Sequence, residues 1–113
     1  LIGMAVAMEL EETGLSIVRA NSVAVAQARV NERTTPFDLI LTDYQLGDGN
    51  GLEVIETVRE HWPAPAILLT GDTAPEILRR AERADIRLIH KPVQNRALRQ
   101  AITELLAADN EER

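Results

Sequence analysis

Three polar residues each come directly after a short apolar run of this chain. They are Asp43, Thr70 and Lys91, and Lys91 is the only lysine in the sequence. The carboxyl ends of parallel strands meet at one edge of a sheet, and ligands of open α/β folds bind at that edge. If the three runs are parallel strands, a carboxylate, a hydroxyl and an amine therefore meet at one place.

A site of this composition is suited to phosphoryl transfer. A carboxylate can attack phosphorus and form an acyl phosphate, and that reaction depends on neutralising the phosphoryl oxygens more than on moving protons. Lys91 would supply positive charge, Thr70 a hydroxyl donor, and the backbone amides near Gly71 an anion-binding helix start. Magnesium (Mg²⁺) prefers several oxygen ligands including carboxylates. Only Asp43 is well placed to bind it, because Asp48 lies further along the chain, in a loop.

Each of these residues also has an ordinary structural explanation. A single Asp at a strand end is most often a turn or capping residue, Thr is favoured in strands, and a Lys-Pro pair marks a loop. Their order at three successive strand ends favours the functional interpretation. His61 and His90 lack the spacing of metal ligands and are interpreted as structural.

Helix-like and strand-like patterns alternate along the chain, which predicts βα units and a parallel sheet. The runs that precede Asp43 and Thr70 are apolar on both faces, as central parallel strands are. Gly14 is expected to end the first helix. Residues 23–26 alone would also permit a strand. Strands are predicted at 15–20, 37–43, 66–70 and 87–90, and helices at 1–13, 22–32, 52–62, from 71–76 onward, and after a cap at Asn95.

Length and composition restrict the class of protein. A chain of 113 residues with 45% hydrophobic and 27% charged residues is typical of one soluble globular domain. The net charge of −6 argues against general attraction to nucleic acid or anionic membranes. The sequence has no cysteine, no apolar stretch long enough to span a membrane and no signal peptide pattern. A cytoplasmic location without membrane contact is therefore expected.

The ends of the chain carry two further expectations. Leu1 already lies inside an apolar segment, so residues upstream are expected in the natural protein. Residues 1–108 are interpreted as one domain and residues 109–113 as a polar tail.

The segments around the three polar residues resemble the receiver domain of two-component response regulators. Residues 37–43 and 49–52 resemble the phosphoacceptor strand and its following loop. Residues 67–71 resemble the strand with the switch hydroxyl. His90-Lys91-Pro92 resembles the lysine that precedes a cis-proline peptide bond in that family.

The resemblance implies a fold and a chemistry. The fold would be α/β and flavodoxin-like (CheY-like), with a doubly wound parallel sheet of strand order 2-1-3-4-5. Asp43 would accept a phosphoryl group from a histidine kinase or a histidine phosphotransfer domain. Asp43 and the backbone carbonyl of Gln45 would be magnesium ligands, and Thr70 and Lys91 would act at the phosphoryl group. The peptide bond before Pro92 would be cis.

Three positions depart from the family pattern. The opening strand and the acidic pair at its end are missing from this chain. That absence is expected to expose the two neighbouring strands and to leave magnesium binding weak or absent. Gly47 stands where a loop proline is common, which is expected to loosen the loop. Leu88 stands at the aromatic switch position.

Several functions stay open. The favoured one is the receiver of a hybrid sensor histidine kinase, since residues 69–76 and 88–93 are similar to receivers at the carboxyl end of such kinases. The whole protein would then be an enzyme, whereas the receiver alone assists only its own phosphorylation. Alternatives are the receiver of a DNA-binding response regulator and a phosphorylation-independent pseudo-receiver. An enzymatic alternative is a phosphatase of the haloacid dehalogenase type. Gln45 argues against it, because these phosphatases need a second Asp at that position. A dimer is left open, and direct nucleic acid binding is not expected.

Overall fold

The computed structural model describes residues 11–12, 14–20, 22–32, 37–71 and 75–111. Strands and helices alternate along most of this part. The strands are β1 (Ile17–Ala20), β2 (Leu39–Asp43), β3 (Gln45–Leu46), β4 (Gly49–Asn50), β5 (Ala66–Thr70) and β6 (Arg87–His90). The helices are α1 (Val23–Glu32), α2 (Gly51–Arg59), α3 (Pro75–Arg83) and α4 (Asn95–Glu111).

Four of the strands form one parallel sheet, in the order β1-β2-β5-β6. The predicted α/β class and parallel sheet are thereby confirmed. β3 and β4 pair with each other in a separate antiparallel hairpin, which lies between β2 and α2 in the chain. The sequence predicted only a turn-forming loop in this region.

The pairing of β1 with β2 corrects one expectation. The missing opening strand was expected to leave its two neighbours exposed. Instead β1 pairs directly with β2, from Ile17 opposite Leu39 to Ala20 opposite Thr42. Val18 and Leu39 are fully buried. The expectation of exposure is therefore wrong for these strands, because direct pairing satisfies backbone groups that would otherwise lack partners.

Both faces of the sheet are covered, as the apolar runs predicted for parallel strands. Alternate side chains of each strand point to opposite faces. One face packs against α1, α2 and α3, and the other packs against α4. Buried residues of the first cluster include Val18, Ile40 and Leu68 with Ala26, Val30, Val54, Ile55, Val58 and Ile77. Those of the second are Ile17, Leu39, Leu41, Ile67, Leu69, Leu98, Ala101 and Ile102.

Some element boundaries differ from the predicted ones. The helix predicted at 1–13 lies outside the described residues, apart from Glu11 and Glu12. Gly14, expected to end that helix, has a φ of 97° and donates its N–H to the carbonyl of Glu11. The last helix runs to Glu111, beyond the predicted domain boundary at residue 108. Among the described residues, no helix has the length and apolar character needed to cross a membrane.

Candidate functional site

The sheet register brings the three predicted polar residues to one edge. Asp43 at the end of β2 lies opposite Leu69, and Thr70 at the end of β5 lies opposite His90. Lys91 follows His90 directly and donates its backbone N–H to the carbonyl of Thr70 at 2.9 Å. Asp43, Thr70 and Lys91 therefore come from three adjacent strands and share the carboxyl edge of the sheet.

Lys91 and Asp43 form an ion pair across this edge. The Nζ atom of Lys91 lies 2.8 Å from Oδ1 of Asp43, and the two side chains are 34% and 22% exposed. Oδ1 itself is buried and accepts no hydrogen bond of ordinary geometry from the described residues. The ammonium group of Lys91 thus places a positive charge directly beside the carboxylate of Asp43, in a pair that is partly exposed.

Two buried threonines, Thr42 and Thr70, lie near the carboxyl ends of β2 and β5. Thr70, the last residue of β5, is 2% exposed. Thr42 is also buried, and its hydroxyl donates to the carbonyl of Asp43 at 3.0 Å. Sequence reasoning did not single out Thr42, because a threonine inside an apolar run is ordinary β propensity.

Gly51 lies against the backbone of Asp43. Its N–H donates to the carbonyl of Tyr44 at 2.8 Å, which closes the base of the β3–β4 hairpin. A Cβ atom at position 51 would lie 2.3 Å from the carbonyl oxygen of Asp43 and 2.5 Å from Cδ1 of Leu68. Only a residue without a side chain permits this approach.

Asn50 caps α2, the helix that starts beside Asp43. Its side-chain oxygen accepts the backbone N–H of Glu53 at 3.1 Å, and its backbone is extended. We predict that Asn50→Ala lowers the free energy of unfolding by about 1 kcal/mol, since one helix-end amide loses its acceptor. Urea denaturation followed by circular dichroism measures this.

The matched control for that prediction is Asn50→Asp, which keeps a side-chain acceptor and is an equally favoured cap. Its midpoint should stay close to that of the wild type. Equal losses in both variants would mean that the hydrogen bond to Glu53 is not the stabilising contact.

Asp48, at the tip of the hairpin, caps a different helix. Its two carboxylate oxygens accept the backbone N–H groups of Val23 and Ala24, at 2.8 and 3.0 Å. These hydrogen bonds to the start of α1 lower the pKa of the Asp48 carboxyl below its ordinary value. Sequence reasoning missed this role, because the contact joins segments that are distant in the chain.

A family model now bears on the identity of the chain. The model described as "Response regulator receiver domain" matches residues 1–103. The chain belongs to this family. The predicted resemblance is confirmed, and the sheet order β1-β2-β5-β6 is that of a CheY-like receiver domain without its opening strand among the described residues.

Two curated relatives share part of this receiver domain. It is 39% identical over 66 residues to the photosynthetic apparatus regulatory protein RegA of Rhodobacter capsulatus, covering 58% of this chain and 35% of RegA. It is 34% identical over 93 residues to the response regulator protein PilR of Pseudomonas aeruginosa, covering 78% of this chain and 20% of PilR. The chain therefore spans about a third and a fifth of these relatives.

Solved structures share the fold of the receiver domain. A CheY-like receiver domain protein from Methanospirillum hungatei JF-1 has a TM-score of 0.72 at 28% identity, covering 81% of this chain and 74% of that one. A response regulator protein from Burkholderia pseudomallei has a TM-score of 0.69 at 22% identity, covering 96% of this chain and 64% of that one. That protein was crystallised with a phosphorylated aspartic acid, a calcium ion and citrate.

The oxygen donors of this receiver domain match a magnesium ion only in part. Among the residues that the structure describes, no three His, Cys, Asp or Glu side chains cluster as a metal site would require. The two predicted ligands, Asp43 and the backbone carbonyl of Gln45 in β3, lie two residues apart in the chain. Because Mg²⁺ usually keeps several waters, two such donors would hold it weakly.

The remaining predicted positions of the receiver domain lie beside the site. The Lys91–Pro92 peptide bond is cis. Leu88, at the switch position, lies opposite Leu68 and packs, partly buried, against the cluster under α1 to α3. His90 is exposed at the end of β6.

Proposed function

We propose that this receiver domain accepts a phosphoryl group from a histidine onto Asp43. The observation that carries the proposal is the 2.8 Å ion pair between Lys91 and Asp43 at the strand edge. A carboxylate held beside a cation at that edge has the nucleophile and the countercharge that phosphoryl transfer requires.

Each residue has one role in the proposed reaction. A carboxylate oxygen of Asp43 attacks phosphorus, the new P–O bond forms, and the P–N bond breaks with its electron pair passing to the donor imidazole. Lys91 offsets the negative charge on the phosphoryl oxygens, and the Thr70 hydroxyl donates a hydrogen bond to one of them. Magnesium, held by Asp43 and the backbone carbonyl of Gln45, would supply further charge neutralisation.

The proposal also covers the phosphodonor and the type of protein to which this domain belongs. The phosphodonor would be a histidine kinase or a histidine phosphotransfer domain. Similarity of residues 69–76 and 88–93 to receivers of hybrid sensor kinases supports a hybrid kinase as the parent protein. The names of the two regulatory relatives support the alternative, a receiver of a response regulator. The coding sequence that flanks these residues distinguishes a kinase core from an output domain.

Intact-mass spectrometry of the natural protein tests the acceptor residue. With magnesium and acetyl phosphate, the wild type is expected to gain one phosphate that hydroxylamine removes, and Asp43→Asn should gain none. Asp85→Asn is the matched control, because Asp85 is an exposed carboxylate with a φ of 56°, a conformation that Asn also tolerates. It should label like the wild type. Equal labelling of Asp43→Asn would overturn the assignment, and a wild type without label would favour a pseudo-receiver.

A further inference from the structure

The β3–β4 hairpin that follows Asp43 is attached at its tip to α1. Both carboxylate oxygens of Asp48 are used in this attachment, one for the amide of Val23 and one for the amide of Ala24. The first amides of a helix have no acceptor within the helix. An acidic side chain supplied from another segment therefore stabilises the helix start and also fixes that segment in place.

Close packing accompanies these hydrogen bonds. A Cβ atom on Gly49 would lie 2.8 Å from Cγ2 of Val23, so the hairpin strand β4 packs closely against the helix start. The third amide of α1 is satisfied separately, since Ser22 Oγ accepts the N–H of Val25 at 3.0 Å. The helix start thus has two independent caps, and only the one from Asp48 involves the hairpin.

The hairpin connects Asp48 to the phosphoacceptor. Gln45 pairs with Asn50, and Leu46 pairs with Gly49, so the two short strands are held to each other. The base of the hairpin is closed by the hydrogen bond from Gly51 to Tyr44, directly after Asp43. A force on the tip is therefore transmitted to the residues that flank the carboxylate.

We propose that Asp48 is a positioning residue for the phosphorylation of Asp43. By tying the hairpin to α1, its carboxylate holds the backbone of residues 44–46 in place beside the reacting carboxylate. Gly47, which precedes Asp48 at the tip of the hairpin, has no side chain that could provide this restraint. The inference rests on the proposed phosphoacceptor function of Asp43.

Three variants of the full-length natural protein separate positioning from helix stability. Asp48→Ala removes both acceptors, Asp48→Asn keeps one carbonyl acceptor, and Ser22→Ala removes the other cap of α1 without touching the hairpin. Amide hydrogen exchange at Val23, Ala24 and Val25 verifies which cap has been lost. Exchange at the affected amides should rise roughly fivefold.

The decisive measurement is the rate of phosphorylation by acetyl phosphate at saturating donor and magnesium, with each variant shown to be folded. Asp48→Ala is expected to be roughly tenfold slower than the wild type, since small displacements of a site slow group transfer strongly. Asp48→Asn should be intermediate, and Ser22→Ala should match the wild type. Equal slowing of Asp48→Ala and Ser22→Ala would overturn the inference in favour of helix stability alone.

The remaining outcomes distinguish this inference from the function on which it rests. If the wild type is labelled and Asp48→Ala reacts at the same rate, positioning by Asp48 is overturned and Asp43 stays the acceptor. If the wild type gains no phosphate, the proposed function is overturned and the role of Asp48 falls with it.

Discussion

Gly51→Ala is expected to lower the free energy of unfolding by about 3 kcal/mol, as an overpacked interior position does. The added Cβ would meet the carbonyl oxygen of Asp43 at 2.3 Å and Cδ1 of Leu68 at 2.5 Å. The first of these atoms belongs to backbone that is fixed in the central sheet, so it cannot rotate away as a flexible side chain could. Relief requires α2 to move away from β2, which breaks the hydrogen bond from Gly51 to Tyr44.

The control lies in the same loop. A Cβ on Gly47 would have no heavy atom within 4 Å, and its φ is outside the left-handed range. Gly47→Ala should therefore leave stability unchanged or raise it by about 0.5 kcal/mol, through a less flexible unfolded chain. The midpoints of urea denaturation compare the stabilities of the two variants, on the condition that their m-values are equal. A wild-type midpoint for Gly51→Ala would show that the close approach to Asp43 is not required by the fold.

Lys91→Met is expected to slow phosphorylation of Asp43 by roughly 100-fold, the usual effect of removing one group that stabilises transition-state charge. Methionine keeps most of the unbranched apolar stem of lysine and removes the ammonium group, with both its charge and its N–H donors. Stability should change by less than about 1 kcal/mol, since a partly exposed ion pair contributes little to folding. The effect on rate is measured by phosphorylation with acetyl phosphate. The effect on stability is measured by the midpoint of urea denaturation, on the same samples.

Lys91→Arg provides the matched comparison. Its charge is retained, but the planar guanidinium is wider and donates in a fixed geometry, so arginine does not replace lysine beside a single oxygen. We expect phosphorylation faster than in Lys91→Met and a weaker signalling output than in the wild type. Unchanged phosphorylation in Lys91→Met would reduce Lys91 to a structural ion-pair partner.

The position of the site at the carboxyl edge of the sheet could be predicted from sequence, because it depends on local sequence patterns. The runs before Asp43 and Thr70 are apolar on both faces, so they had to be buried parallel strands, and parallel strands end at a common edge. The position of Lys91 followed from the same pattern at the end of the last strand. The cis bond at Pro92 was inferred only from the family resemblance.

The contacts that support the site could not be predicted in this way. Asp48 lies among loop glycines and reads as a turn residue, because its partners Val23 and Ala24 come from a distant segment. The need for glycine at Gly51 depends on how closely α2 approaches β2. The direct pairing of β1 with β2 depends on which strands are present to compete for the same edge, which no local pattern specifies.

The strand order has a consequence for the way the chain folds. In the described sheet every strand pairs with the strand that precedes or follows it among the four, and one helix lies between each pair. Each pairing therefore spans a single helical connection, so the entropy cost of closing it is smaller than for strands further apart in the chain. Each strand–helix–strand unit of the described sheet thus contains both partners of its own pairing.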